Sequence, residues 1–312
     1  MSISGSILLS GEVLWDRIRK NYQFDYKTTD PKVQYYVKQF SNNAYLSQIT
    51  QRSAPYLYLV VEALERRDLP GELALLPIVE SAYDPTARSE KGAAGIWQMM
   101  PHTAKRFGLK RDHWYDGRMD VAASTEAALD YLDYLKDRFE EDWLLALAAY
   151  NSGEGKVSRS MQRNRQREQS TEFWALGLPR QTRDYVPKIL ALAEITRDPK
   201  GYGVELPEIY NEPYLAGVQL DTPLAFNEAA KFAGMSLKEL KKLNAGYHKA
   251  TYHPNSAAIL LMPIANATHF LEKAGEHLPS VRLASLSKDR KNTAFYAMDL
   301  VLKLRKWLFP DR

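Results

Sequence analysis

The stretch Leu73-Ala74-Leu75-Leu76-Pro77-Ile78-Val79-Glu80-Ser81-Ala82-Tyr83 settles the reading of this chain. Its apolar residues recur at the three- and four-residue spacing of a helix packed against a core, and one charged group, Glu80, stands among them. An ionised carboxylate is costly to bury, so such a group keeps its proton to higher pH. A carboxylic acid still protonated near neutrality is what a glycosidic leaving oxygen requires. The same residue also reads as a structural glutamate at a helix end, paired with an arginine. Pro77 has no N–H to donate and is expected to kink or loosen the helix, and Pro85 to end it. Asp84 is four residues from Glu80. On one helical face it would suggest a two-acid glycosidase, whereas its place directly before Pro85 favours a cap or a turn.

Outward from this stretch, residues 13–197 read as helical almost throughout. The spacing predicts helices over Tyr56–Arg66, Leu73–Tyr83, Val121–Phe139 and Trp143–Tyr150, with Asp120 as N-cap of the third and Pro70 in a first helical turn. Pro199, Gly201, Gly203, Pro207 and Pro213 cluster in Asp198–Pro213, a linker or boundary signal. Beyond it the pattern predicts a strand at Gly217–Leu220, helices at Leu224–Ala233 and Leu237–Asn244, and a strand at Ile259–Met262. The end, Leu283–Arg312, is basic and mixed, with an amphipathic stretch at Phe295–Leu308.

Two further segments carry chemistry. Ser89-Glu90-Lys91-Gly92-Ala93-Ala94-Gly95-Ile96-Trp97-Gln98-Met99-Met100-Pro101 holds two glycines three apart, which let something approach the backbone closely. They are no dinucleotide fingerprint, because no strand leads into them. Ala149-Tyr150-Asn151-Ser152-Gly153 closes an apolar helix. Each alone is a turn or a helix stop; in this order behind Glu80-Ser81 they form a specific set.

With Tyr185-Val186-Pro187-Lys188 added, that set resembles the lytic transglycosylases of glycoside hydrolase family 23 over residues 13–197. The resemblance implies a mainly α fold: a lysozyme-like helical catalytic domain with an N-terminal helical extension over 13–200. It implies that Glu80 is the sole catalytic acid and base, that Ser89, Gln98 and Met100 line the saccharide groove, and that Tyr150 and Tyr185 stand at the cleft. Asn151 would hold its loop in place. Trp97 departs from the Leu or Met that many relatives carry before the glutamine. The implied reaction cuts the β-1,4 bond between N-acetylmuramic acid and N-acetylglucosamine, in exo or endo fashion, without water. Glu80 protonates the leaving oxygen, then takes the proton of the muramic acid 6-hydroxyl as a 1,6-anhydro ring closes. No cofactor is implied, and the partner is the peptidoglycan glycan strand.

Residues 213–270 resemble a LysM module, two helices on a two-stranded sheet forming a small α+β unit. It is degenerate: Leu220-Asp221-Thr222-Pro223-Leu224 replaces the usual Gly-Asp-Thr-Leu opening, and Tyr247–Ser256 is a long insertion. Sugar binding and a packing role both stay open for it. Residues 275–312 form a basic tail that does not read as a further sugar-binding module.

Composition excludes several other classes. The chain has 312 residues, 45% hydrophobic and 26% charged, with a formal net charge of +4. That balance is too mild to indicate nucleic acid, although it favours an anionic polymer. The absence of cysteine removes disulfides, thiolate metal sites, a cysteine nucleophile and a lipidation cysteine. His102, His113, His248, His253, His269 and His277 show no metal-ligand spacing. No apolar run approaches the roughly 18 residues of a transmembrane helix. Met1 to Leu14 lacks the basic start of a secretory signal, so the expected place in the periplasm or cell envelope rests on the resemblance. A monomer is expected. Trp97, Trp114, Tyr115, Tyr131 and Tyr134 either offer faces to sugar rings or belong to the core. Lys156, Arg159, Arg163 and Arg167, with Arg165 nearby, read as a solvated basic face or, less often, as a contact for acidic wall groups or nucleic acid.

Overall fold

A computed structural model describes residues 13–24, 29–41, 45–252, 259–275, 277, 278, 281–284 and 286. The amphipathic stretch expected at Phe295–Leu308 lies outside the described residues.

The helical part opens with α1 (Leu14–Lys20), α2 (Pro31–Ser41) and α3 (Tyr45–Glu65). Helix α3 extends the expected Tyr56–Arg66 helix by more than two turns at its N-terminal side, carrying Pro55 inside it. The run expected as one helix over Leu73–Tyr83 is instead a 3-10 turn, Gly71–Leu75, followed by a short α4 (Leu76–Ser81). Pro77 therefore sits in the first turn of α4, where a missing N–H is harmless. It starts a helix and does not kink one. Pro70 caps the preceding 3-10 turn from outside it. Pro85 does not end the helix either. The chain has already left it at Ala82 and Tyr83, both left-handed at φ 52° and 55°.

Next come α5 (Pro101–Arg106), α6 (Val121–Arg138), α7 (Trp143–Ser152), α8 (Glu154–Arg165) and α9 (Arg180–Arg197). Asp120 caps α6 as expected, its carboxylate accepting from the Ala123 N–H at 2.9 Å. Helix α7 is apolar on all sides and packs against α6, α8 and α9, so it forms the centre of the larger core. Among the described residues, no helix is long and apolar enough to cross a membrane.

The residues 198–213 are not a free linker. Leu14 donates its N–H to the Ile209 carbonyl at 2.8 Å, the Trp15 indole donates to the Pro207 carbonyl at 3.0 Å, and Val13 bridges Tyr210. The segment runs back along α1.

The small α+β part holds β1 (Leu215–Leu220), β2 (Leu224–Ala225), α10 (Phe226–Ala233), α11 (Leu237–Leu243), β3 (Thr251–Tyr252), β4 (Leu260–Pro263), α12 (Ile264–Gly275) and β5 (Val281–Ala284). An antiparallel sheet runs β4-β1-β5, with Val218 opposite both Leu260 and Leu283. The sheet thus has three strands where two were expected, and a third helix, α12, packs against β1, β4 and β5. Leu224 and Ala225, expected in a helix, pair with β3 as a short ribbon. Asn244 joins α11 to the sheet: it accepts from the Leu261 N–H and donates to the Leu240 and Leu261 carbonyls, all within 2.8 Å. Leu243 and Leu261 belong to the same core as the helical part.

Candidate active site

Glu80 lies in the last turn of α4, and the turn beyond it is held from several sides. The Ala82 and Tyr83 N–H groups return to the Ile78 and Pro77 carbonyls at 3.1 and 3.0 Å, satisfying carbonyls that a helix end otherwise leaves bare. The fully buried Tyr83 donates its hydroxyl to the Ala74 carbonyl at 2.8 Å. Ser81 donates to the Ile96 carbonyl at 2.9 Å, tying α4 to the glycine loop. Asp84 is engaged in a turn, accepting from the Thr86 N–H and hydroxyl at 2.9 and 2.7 Å. It shares no helical face with Glu80.

Tyr185 of α9 donates its hydroxyl to Glu80 Oε1 at 2.5 Å. Burial pushes the Glu80 carboxyl up to about 7, against the Tyr185 hydrogen bond, which favours the charged form. No guanidinium pairs with it among the described residues, which removes the structural alternative of an arginine-bound glutamate. Tyr150, at the end of α7, donates to the Trp97 carbonyl at 2.8 Å. Burial raises both phenols well above 10, and the negative charge of Glu80 raises each further. Glu80, Tyr150 and Tyr185 thus form one electrostatically coupled group built from three helices.

The loop of residues 87–100 lies against α4 and α7, its Ile96 and Trp97 carbonyls accepting from Ser81 and Tyr150. It is pinned by bridges Arg88–Ala94 and Ala94–Met99 and by a buried arginine. Arg118 donates to the Gly92 carbonyl at 2.6 Å and the Met99 carbonyl at 3.3 Å, and its other nitrogens grip Asp116 at 2.9 and 2.7 Å. Burial pushes the Asp116 carboxyl up, but the Arg118 hydrogen bonds outweigh it and hold the group below the usual range. What approaches Gly95 is the protein's own backbone. A Cβ there would stand 1.8 Å from the Arg118 carbonyl oxygen, at φ +78°. Gln98, left-handed at φ 48°, donates its side-chain amide to the Gly95 carbonyl at 2.8 Å. Ser89, exposed, accepts from the Ala93 N–H at 2.9 Å, and Met100 precedes α5 at the loop's end. Asn151 accepts from the Thr182 hydroxyl at 3.0 Å, joining α7 to α9.

Trp97 offers no face to a ligand. It is 0% exposed, and its indole donates to Thr125 at 2.9 Å. Tyr115 and Tyr131 are also buried, leaving Trp114 exposed and Tyr134 half-buried. The side chains of Lys156, Arg159, Arg163, Arg165 and Arg167 are exposed. Sequence reasoning passed over Ser81, Thr182 and Arg118 as positioning groups. For Arg118 the available signal was the Asp116-Gly117-Arg118 spacing, an acid two residues from a base. Among the described residues, no group of three or more His, Asp or Glu side chains is placed to hold a metal ion.

Comparison with known proteins agrees with this architecture. The family description "Transglycosylase SLT domain" matches residues 58–173, and "Lytic transglycosylase MltD, LysM-like domain" matches residues 214–276. The chain is 44% identical to membrane-bound lytic murein transglycosylase D of Escherichia coli (strain K12) over 75% of its own length and 52% of the relative's. It therefore spans about half of that relative. It is 40% identical to a protein of Alteromonas sp. (strain M-1) named for tributyltin chloride resistance, over 58% of this chain and 89% of the relative. A solved structure, lytic transglycosylase Slt of Pseudomonas aeruginosa, overlaps 48% of this chain and 25% of that one at 25% identity, with a TM-score of 0.38. With an SLT match over the helices that carry Glu80 and an MltD-type LysM-like match over the sheet, the chain belongs to the lytic transglycosylase family.

Proposed function

We propose that the chain is a peptidoglycan lytic transglycosylase of the cell envelope, acting as a monomer, with residues 13–200 as its catalytic part and residues 213–270 as a LysM-like module. Glu80 protonates the glycosidic oxygen leaving N-acetylmuramic acid, and the substrate's acetamido carbonyl stabilises the developing oxocarbenium charge. The resulting carboxylate then takes the proton of the muramic acid 6-hydroxyl, which attacks C1 and closes the 1,6-anhydro ring. One group serves both steps because its proton affinity lies near working pH, where it gives and takes protons with similar ease. Tyr185 steadies the charged form between the steps. Tyr150 stands near enough for the Glu80 charge to act on it, and Ser89, Gln98 and Met100 line the path of the glycan. The side-chain nitrogen of Gln98 is spent on the loop, so its oxygen is the atom left to accept from a sugar hydroxyl.

The observation that carries this reading is the Glu80 carboxyl itself, raised to about 7 by burial and bonded to a phenol in place of a cation. Purified sacculi digested by the chain are expected to release fragments with anhydro ends, lighter by one water than hydrolysis products. Glu80→Gln is expected to abolish their release with the circular dichroism spectrum unchanged. Release of hydrated ends by the unaltered chain would overturn the transglycosylase step in favour of a muramidase.

A further inference from the structure

A second groove, of about 630 Å³, lies between α3 and the small α+β part. Its floor is apolar and built by both parts: Pro55 and Tyr56 from α3, Met235 and Leu243 from the other side. Its rim is cationic. Arg52, Lys231 and Lys242 line it with exposed side chains, against one acid, Glu239. That acid is already engaged in capping α11, where it accepts from the Ser236 N–H and hydroxyl at 3.2 and 2.7 Å. Neither Lys231 nor Lys242 has an ion-pair partner among the described residues. Tyr214, 48% exposed, adds an open ring at the edge. Pro55 offers no N–H to the Gln51 carbonyl, and both residues line the groove.

Two features make this a built site. The parts that form it are fixed to each other: the Asp116 N–H donates to the Gly246 carbonyl at 2.8 Å and the His248 N–H to the Trp114 carbonyl at 2.9 Å. It also neighbours the catalytic turn, since Arg52 donates to the Ala82 carbonyl at 3.4 Å, two residues past Glu80.

We propose that this groove binds the carboxylate-bearing peptide substituents of the glycan strand whose sugar backbone is held at Glu80. The inference rests on the reading of the chain as a peptidoglycan lyase and names a ligand class for a surface outside the saccharide path. An extended peptide carries carboxylates for the three cations, N–H groups for free carbonyls and aliphatic side chains for the apolar floor. A bare glycan carries only the lactyl carboxylate of each muramic acid, held close to the sugar ring, and has neither the further carboxylates nor the N–H groups and aliphatic side chains of a peptide.

The test is a binding measurement that needs no turnover. Soluble glycan fragments, with peptides intact or removed by an amidase, are titrated into the full chain carrying Glu80→Gln. Peptide-bearing fragments are expected to bind about 3- to 10-fold more tightly than bare ones, a preference that shrinks as salt rises. Adding Lys231→Glu with Lys242→Glu is expected to erase the preference and leave the affinity for bare glycan unmoved. Lys238→Glu with Lys241→Glu, an equal change of net charge on exposed residues outside the groove, is expected to leave the preference intact. Equal binding of both fragments, or a preference that survives the Lys231/Lys242 change, would overturn the proposal. So would a loss shared equally by both lysine pairs. Because no bond is cleaved, these outcomes stand apart from whether anhydro ends are made.

Discussion

Two glutamates eight residues apart, both in protein surroundings, show how partners decide the use of a carboxyl. Glu72 is 0% exposed and accepts from the Gln23 and Phe24 N–H groups at 3.0 Å each, so its charge is consumed in fixing backbone. Glu80 has one phenol and partial access to solvent, so its proton is available. A carboxyl raised from 4.5 to about 7 binds more protons in the folded than in the unfolded chain between those values. Its contribution to stability is therefore full below 4.5, falls as pH climbs, and is lost above about 7. Glu80→Gln retains an oxygen for the Tyr185 hydroxyl, so its unfolding free energy in urea should match the parent's near pH 4 and exceed it by about 1–3 kcal/mol at pH 8. Equal stability at pH 8 would mean that burial is not what raises the group. In the proposed mechanism the first proton transfer needs the acid form, so kcat/KM is expected to fall as pH passes about 7. Tyr185→Phe removes the bond that favours the carboxylate and should move that descending limb upward by about one pH unit. A downward move would refute the assignment.

Among the elements, what was legible in the sequence is what is encoded locally. Helix α6 and its Asp120 cap are written in adjacent residues, and the site tyrosines were visible because Ala149–Gly153 and Tyr185–Lys188 keep their motif. Apolar spacing alone does not separate a 3-10 turn from an α-helix, so Gly71–Leu75 and α4 merged into one expected helix. Trp97 beside Gln98 could be read either as a sugar face or as core, because nothing nearby reveals that its indole finds Thr125, 28 residues on. The glycine loop makes the same point in energies. Gly95→Ala places a methyl 1.8 Å from a carbonyl oxygen at a left-handed φ and should cost about 3 kcal/mol or more. Gly92→Ala, also at positive φ but in open space, should cost about 1 kcal/mol. Denaturant midpoints of the two variants compare them directly, and similar losses would show that the close approach at Gly95 is unimportant.

Across the whole molecule, the helical part and the sheet share a core through Leu243 and Leu261. Calorimetry is therefore expected to show one cooperative transition, and two well-separated peaks would contradict a common core. Asn244→Ala should lower stability by about 2–4 kcal/mol, since it strands the buried Leu261 N–H and takes the side-chain donor from the Leu261 carbonyl, while the Leu240 carbonyl keeps the backbone N–H of residue 244. The groove between the parts was not readable from the chain, because Arg52 and Lys242 meet only through tertiary packing. The segment laid along α1, with Pro207 and Ile209 bonded to Trp15 and Leu14, has a kinetic meaning. It is no leash. The helical part and the sheet are therefore held at a separation set by packing, independent of the entropy of a loose chain. Any ligand long enough to touch both parts would meet them at one fixed spacing.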